Sequence, residues 1–192
     1  MHNILRTLNN NPVIAAVRSR DRLLKAICSP VDIIFILKST IFEVEKSIDM
    51  AKKHNKFCAV HFDFIDGLGG NGNAVDYLFQ RCGADGIIST RSQPIKYAVS
   101  RGYCGVQRFF LIDSMSVDTA ISVIEATKPT IVEIMPGIMH NVTEVFCNRV
   151  KTPVIAGGMI NNLEDVHMAL KKGAHGISTS NENLWDGLKH RL

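Results

Sequence analysis

Thr152-Pro-Val-Ile-Ala-Gly-Gly-Met-Ile160 is answered some twenty residues later by Gly173-Ala-His-Gly-Ile-Ser-Thr-Ser180. Val154, Ile155 and Ala156 form an apolar run too short for a helix and stopped by two glycines, so it reads as a fully buried strand. Gly157 and Gly158 let a ligand approach backbone N–H groups without meeting a Cβ. The second stretch repeats the logic. Gly176-Ile177-Ser178 is a strand, and Thr179 and Ser180 lead into a helix N-terminus, whose unpaired N–H groups and macrodipole favour an anion. Either stretch by itself reads better as an ordinary turn or helix cap. Together, separated by one helix, they match the phosphate site after strands seven and eight of a (β/α)8 barrel.

Outward from this pair, the rest of the chain alternates in the same way. Strands are expected at Val13–Val17, Asp32–Leu37, Phe57–Phe62, Gly86–Thr90, Val106–Ile112 and Ile131–Met135, ahead of those at Val154 and Gly176. Helices fill the gaps, with Asp21 capping the first, Thr40 the second, and Asp113 or Ser114 the one that runs to Thr127. A terminal helix is expected from Leu184 to Arg191. Eight strands alternating with eight helices on short connections imply parallel strands and right-handed crossovers. No GxGxxG follows the first strand, which argues against a doubly wound nucleotide fold. Gly83-Ala-Asp-Gly-Ile-Ile-Ser-Thr90 echoes Gly173-Ala-His-Gly-Ile-Ser-Thr-Ser180, at strands four and eight, where a duplicated half-barrel would place the two. The expected architecture is a compact (β/α)8 TIM-type barrel forming a single domain over residues 1–192.

Composition sets the surroundings. The 192 residues are 46% hydrophobic, with no stretch long enough to span a membrane and no signal-like opening, so a single soluble domain is expected. Five scattered cysteines without a CxxC pair argue against a disulfide framework or a structural zinc, and for a reducing cytoplasm. A formal charge of +4 permits an RNA partner without suggesting one.

In a barrel of this kind the working residues sit at the C-terminal ends of the strands. Those ends carry Arg18, Lys38, His61, Asp63, Ser89, Thr90, Arg91, Arg108, Glu133, Gly157, Gly158, Ser178, Thr179 and Ser180. Basic groups, carboxylates and hydroxyls in that mixture suit a small anionic polyol. Asp63 and Glu133 read either as an acid/base pair of an isomerase or lyase, or as acceptors for ligand hydroxyls and partners for Arg18 and Arg108. His61 reads as a hydrogen-bonded structural residue ahead of a general base. Lys38 is the one candidate for a Schiff base.

Ala15-Ala-Val-Arg-Ser19, His61-Phe-Asp-Phe-Ile-Asp-Gly-Leu68, Asp85-Gly-Ile-Ile-Ser-Thr-Arg91, Gln107-Arg-Phe-Phe-Leu-Ile-Asp-Ser114, Glu133-Ile-Met-Pro-Gly-Ile138, Pro153–Ile160 and Ser178–Ser180 with Leu184-Trp185 carry a resemblance over nearly the whole chain. In order and content they resemble the glycerol uptake operon antiterminator family. The resemblance implies transcription antitermination and regulation of glycerol metabolism by an RNA-binding (β/α)8-type barrel with no established catalytic turnover; no metal or cofactor is expected. It also implies sn-glycerol 3-phosphate as effector and leader mRNA as partner, and leaves room for a homo-oligomer. Carried onto this chain, the ligand-binding set is Arg18, His61, Asp63, Arg108, Glu133, Gly157, Gly158, Ser178, Thr179 and Ser180. Asn71 stands where the family pattern has an acid. Candidate RNA surfaces are Arg18–Arg22 with Lys25, the Lys52–Lys56 helix end, Lys171–Lys172 and Lys189–Arg191, each of which also reads as an ordinary solvated helix end. A barrel enzyme acting on a phosphorylated polyol or sugar, as an isomerase or lyase, is the alternative.

Overall fold

The structure, a computed structural model, describes residues 4–186. Strands β1 (Val13–Val17), β2 (Ile33–Ile36), β3 (Phe57–His61), β4 (Gly86–Ser89), β5 (Cys104–Phe110), β6 (Ile131–Met135), β7 (Val154–Gly157) and β8 (Gly176–Thr179) are parallel. Each pairs with its neighbours in sequence and β8 returns to β1, closing the barrel. Their near-continuous burial explains why they read as apolar runs without alternation: both faces are covered.

Alternate side chains of the strands fill the interior with Ile14, Ile33, Phe35, Phe57, Ala59, Ile88, Val106, Ile131 and Ile155. Helix α1 (Ile4–Asn10), ahead of the first expected strand, closes the floor with Ile4 and Leu8. Gly176 permits this, since a Cβ there would lie 2.7 Å from Leu8 Cδ2 and 3.0 Å from the Pro12 carbonyl oxygen. Outside the barrel lie α2 (Arg20–Cys28), α3 (Val44–Lys53), α4 (Gly72–Asp76, continuing as a π-helical turn to Arg81) and α5 (Ser92–Ser100). Next come α6 (Ser114–Thr127), α7 (His140–Arg149) and α8 (Leu163–Lys171). They bury one face each against the outward strand residues. Among the described residues, no helix is long and apolar enough to cross a membrane.

Three local expectations change. Ser19, not Asp21, caps α2, its hydroxyl accepting from the Arg22 amide, because Arg20 and Asp21 already lie inside the helix. Thr40 does not cap α3. With Ser39 it pairs in parallel with Ile65-Asp66, a two-residue ladder that ties the loop after β2 to the loop after β3. After β8 a 3₁₀ turn at Glu182–Leu184, capped by Asn181, takes up the start of the expected terminal helix; residues 187–191 of that helix lie outside the described residues. Asp113, by contrast, caps α6 in a full capping box with Ser116.

The internal echo has a structural counterpart. The Asp85 amide donates to the Cys58 carbonyl while its carboxylate accepts from the Cys58 amide at 3.0 Å. The His175 amide likewise donates to the Val154 carbonyl, with His175 Nδ1 3.4 Å from the Val154 amide. Both residues therefore pin the start of a strand to the strand before it.

Candidate functional site: a cationic hollow at the barrel mouth

The C-terminal ends of the strands carry a polar layer directly above the apolar interior. Glu133 is fully buried. Arg108 Nε donates to its Oε2 at 2.7 Å, and the Ser178 hydroxyl donates to its Oε1. Register explains the meeting, since Arg108 and Glu133 are paired positions on β5 and β6. Gly157 is glycine for the same reason. A Cβ there would collide with the Ser178 hydroxyl and come within 2.6 Å of Glu133 Oε1. Glu133 thus holds the guanidinium of Arg108 by one edge. The two Nη groups donate to no acceptor among the described residues, and Arg108 lines a hollow of about 330 Å³ at the mouth with Arg18, Lys38, Leu37, Phe64 and Asp66. Three cations facing one small hollow suit an anion, with an arginine pre-oriented for a charge-assisted bond.

His61 ends β3 beneath this layer, 1% exposed and 4.5 Å from the Phe64 ring. Neither ring nitrogen has a hydrogen-bond partner among the described residues. Burial, together with the charge of Arg108, lowers its pKa to about 4 against the opposing pull of Asp63 and Glu133. It is therefore a neutral imidazole at physiological pH, with a donor and an acceptor to offer. Buried polar groups are rarely left unpaired, which sets this imidazole apart from the rest of the buried layer.

Asp63 bonds to the end of β4 and the loop after it. One carboxylate oxygen accepts from Ser89 Oγ (2.8 Å) and Arg91 Nε (2.9 Å); the other accepts from the amide and hydroxyl of Thr90 (2.8 and 3.0 Å). Burial alone would raise its pKa, but the Thr90 amide, the Ser89 hydroxyl and the Arg91 guanidinium outweigh it and hold the carboxyl below the ordinary range. With these four bonds made, Asp63 fixes the corner between β3 and β4.

The expected phosphate cradle is partly committed to the protein. Thr179 is buried; its hydroxyl donates to the Ile160 carbonyl and accepts from the Asn181 amide. Ser178 is spent on Glu133. The Gly157 and Gly158 carbonyls accept from the Gly137 amide, so the Pro136-Gly137 turn locks the end of β7. The Ser180 amide, however, donates to no acceptor among the described residues, whereas the pairing of Ser178 with Gly157 turns the Gly158 amide to the Ser178 carbonyl. Gly158 has φ of +80°, a conformation that suits glycine. The open Ser180 amide sits just past β8, which pairs with β1, the strand that ends at Arg18.

Lys38, Phe64 and Asp66 also line the hollow but were not in the expected ligand set. Lys38 was legible as a cation at a strand end, whereas Phe64 and Asp66 arrive through the unforeseen ladder after β3. Asn71, in place of an acid, accepts from the Ala74 amide at 3.1 Å and caps α4.

Residues 13–185 match the family model described as glycerol-3-phosphate responsive antiterminator. This chain belongs to that family. The glycerol uptake operon antiterminator regulatory protein of Listeria monocytogenes superposes with a TM-score of 0.88 at 29% identity, over 92% of this chain and 96% of the other. A glycerol uptake operon antiterminator-related protein of Thermotoga maritima gives 0.83 at 31% identity, over 91% and 98%. The uncharacterized protein YgcP of Escherichia coli is 31% identical over 98% of this chain and 99% of its own. An aldolase, QR15, aligns over 89% of this antiterminator and 90% of its own chain with a TM-score of 0.71 at 14% identity, a likeness of fold alone.

Proposed function

We propose that this antiterminator senses sn-glycerol 3-phosphate in the mouth hollow and acts on leader mRNA of glycerol-utilisation genes in the cytoplasm. One observation carries the ligand reading: Arg108 is held by buried Glu133 so that its free edge joins Arg18 and Lys38 around a hollow of about 330 Å³. The phosphoryl group takes these cations and the open amide of Ser180. The glycerol hydroxyls take His61, whose ring nitrogens lack partners among the described residues. Glu133, Ser178 and Gly157 are positioning residues beneath them, and Asp63 and Thr179 hold the loops.

The same contacts weigh against the isomerase or lyase reading. General acid/base work needs a carboxyl or imidazole free to exchange a proton near neutrality. Asp63 is held as a carboxylate by its bonds to Ser89, Thr90 and Arg91, Glu133 is paired with Arg108, and His61 is held neutral. A regulator needs none of that exchange. It needs a ligand that binds one state better than another.

Calorimetry with sn-glycerol 3-phosphate, glycerol and inorganic phosphate tests the reading. Saturable binding of the first, much weaker binding of the other two, and no turnover are expected. Conversion of the ligand to a product would move the protein to the enzyme class.

A further inference from the structure

Beside the mouth, between α2 and α3, lies a second cleft of about 390 Å³. Arg18, Arg20, Lys38 and Lys46 line it, with Glu43 as an acidic member of the wall. None of these four cations has an ion pair or side-chain hydrogen bond among the described residues. Farther along α2, Arg22 and Lys25 both pair with Glu182. Phe42 stands at the same cleft and is 93% exposed. This surface sets an aromatic ring in solvent beside unpaired cations. It is what single-stranded nucleic acid binds: a base stacks on the ring and the backbone phosphates take the cations.

We propose that the α2–α3 cleft is a nucleotide subsite for single-stranded RNA, with Phe42 as the stacking platform and Arg20 and Lys46 as phosphate contacts. The volume falls in the range of small-ligand pockets and suits one nucleotide. Arg18 and Lys38 line both this cleft and the mouth hollow, so the two sites share a wall of charge. A phosphoryl group in the hollow fixes two side chains that the RNA also meets, which couples the sites, and by linkage RNA then changes effector affinity by the same factor. This subsite rests on the antiterminator reading and adds to it the face that RNA uses.

The test starts by selecting a 20-nucleotide RNA from a randomised single-stranded pool with the full chain, with and without sn-glycerol 3-phosphate. Filter binding then compares variants on that RNA. Phe42→Ala weakens binding about ten-fold or more, the scale of one lost base stack, while Phe42→Trp restores it. Arg20→Ala with Lys46→Ala weakens binding and lowers the salt slope by about 1.4, the single-strand value for two lost phosphate contacts. Calorimetric affinity for sn-glycerol 3-phosphate stays at the wild-type value in all of these, and Ile112→Ser, on the loop after β5, serves as an exposed apolar control with unchanged RNA binding. If the Phe42 and Arg20/Lys46 variants bind the selected RNA like wild type, the cleft is not the subsite, and the antiterminator reading stands without it. If the wild-type chain selects no RNA under either condition, the antiterminator reading and the subsite fall together. If Phe42→Ala changes the sedimentation of the protein but not its RNA affinity, the ring belongs to a protein interface and the proposal is overturned.

Discussion

Removing Arg108 tests the polar layer most severely. Glu133 is fully buried and receives two hydrogen bonds, from Arg108 at 2.7 Å and from Ser178. Arg108→Met keeps much of the side-chain volume but leaves that carboxylate with a single hydroxyl partner. Breaking a buried pair on one side costs about 3–5 kcal/mol, since the remaining charge is uncompensated. Replacing both partners is cheaper: Arg108→Met with Glu133→Met leaves no stranded charge, and a hydrophobic pair of similar volume is often neutral. Urea unfolding followed by circular dichroism measures both variants against wild type. The single variant is expected to lose about 3 kcal/mol or more and the double variant clearly less, with a negative coupling between the sites. A loss below about 1 kcal/mol for Arg108→Met, or a double variant no more stable than the single, would show that Glu133 does not depend on this arginine.

Titration of His61 offers a second test. Its folded pKa of about 4 lies below the ordinary value of 6.5, so its contribution to stability is present above the unfolded pKa and is lost as pH falls from about 6.5 towards 4. That contribution is about 3 kcal/mol at most, and His61→Phe should flatten stability across this window in pH-dependent urea unfolding. In Arg108→Met an NMR titration should find the His61 pKa higher, because a nearby positive charge that lowers it has gone. Gly157→Ala should cost about 1–3 kcal/mol by overpacking and abolish effector binding, since its Cβ displaces Glu133 and Ser178; unchanged affinity in calorimetry would count against the floor described above. Gly158→Val should remove phosphate binding at a stability cost of about 1–3 kcal/mol, measured together by calorimetry and thermal unfolding, because φ of +80° strains a branched residue.

The barrel was legible because buried parallel strands are short apolar runs, and glycines or capping residues punctuate them. The echo of residues 83–90 in 173–180 was legible for a related reason: Asp85 and His175 pin the strands on either side of them alike. The candidate residues were legible by position but not by partnership. Arg18, His61, Arg108 and Glu133 do gather at the mouth, as their places at strand ends imply. Nothing in the order of residues says that Glu133 would be consumed in orienting Arg108, which depends on the cross-strand pairing of β5 with β6. Asp63 looked like a ligand acceptor until Ser89, Thr90 and Arg91, from the next unit, took its oxygens. The hydroxyl of Thr179 turned to the Ile160 carbonyl for the same kind of long-range reason. The ladder of Ser39-Thr40 with Ile65-Asp66, which brings Phe64 and Asp66 to the hollow, has no periodic signal at two residues per strand.

The most direct test of the whole account is the calorimetric titration of sn-glycerol 3-phosphate into wild-type protein and into Arg18→Ala with Lys38→Ala. Saturable binding in wild type, abolished by loss of the two mouth cations in a protein that still unfolds cooperatively, is the predicted result. Undiminished binding in that double variant would place the effector somewhere other than the barrel mouth and contradict the account.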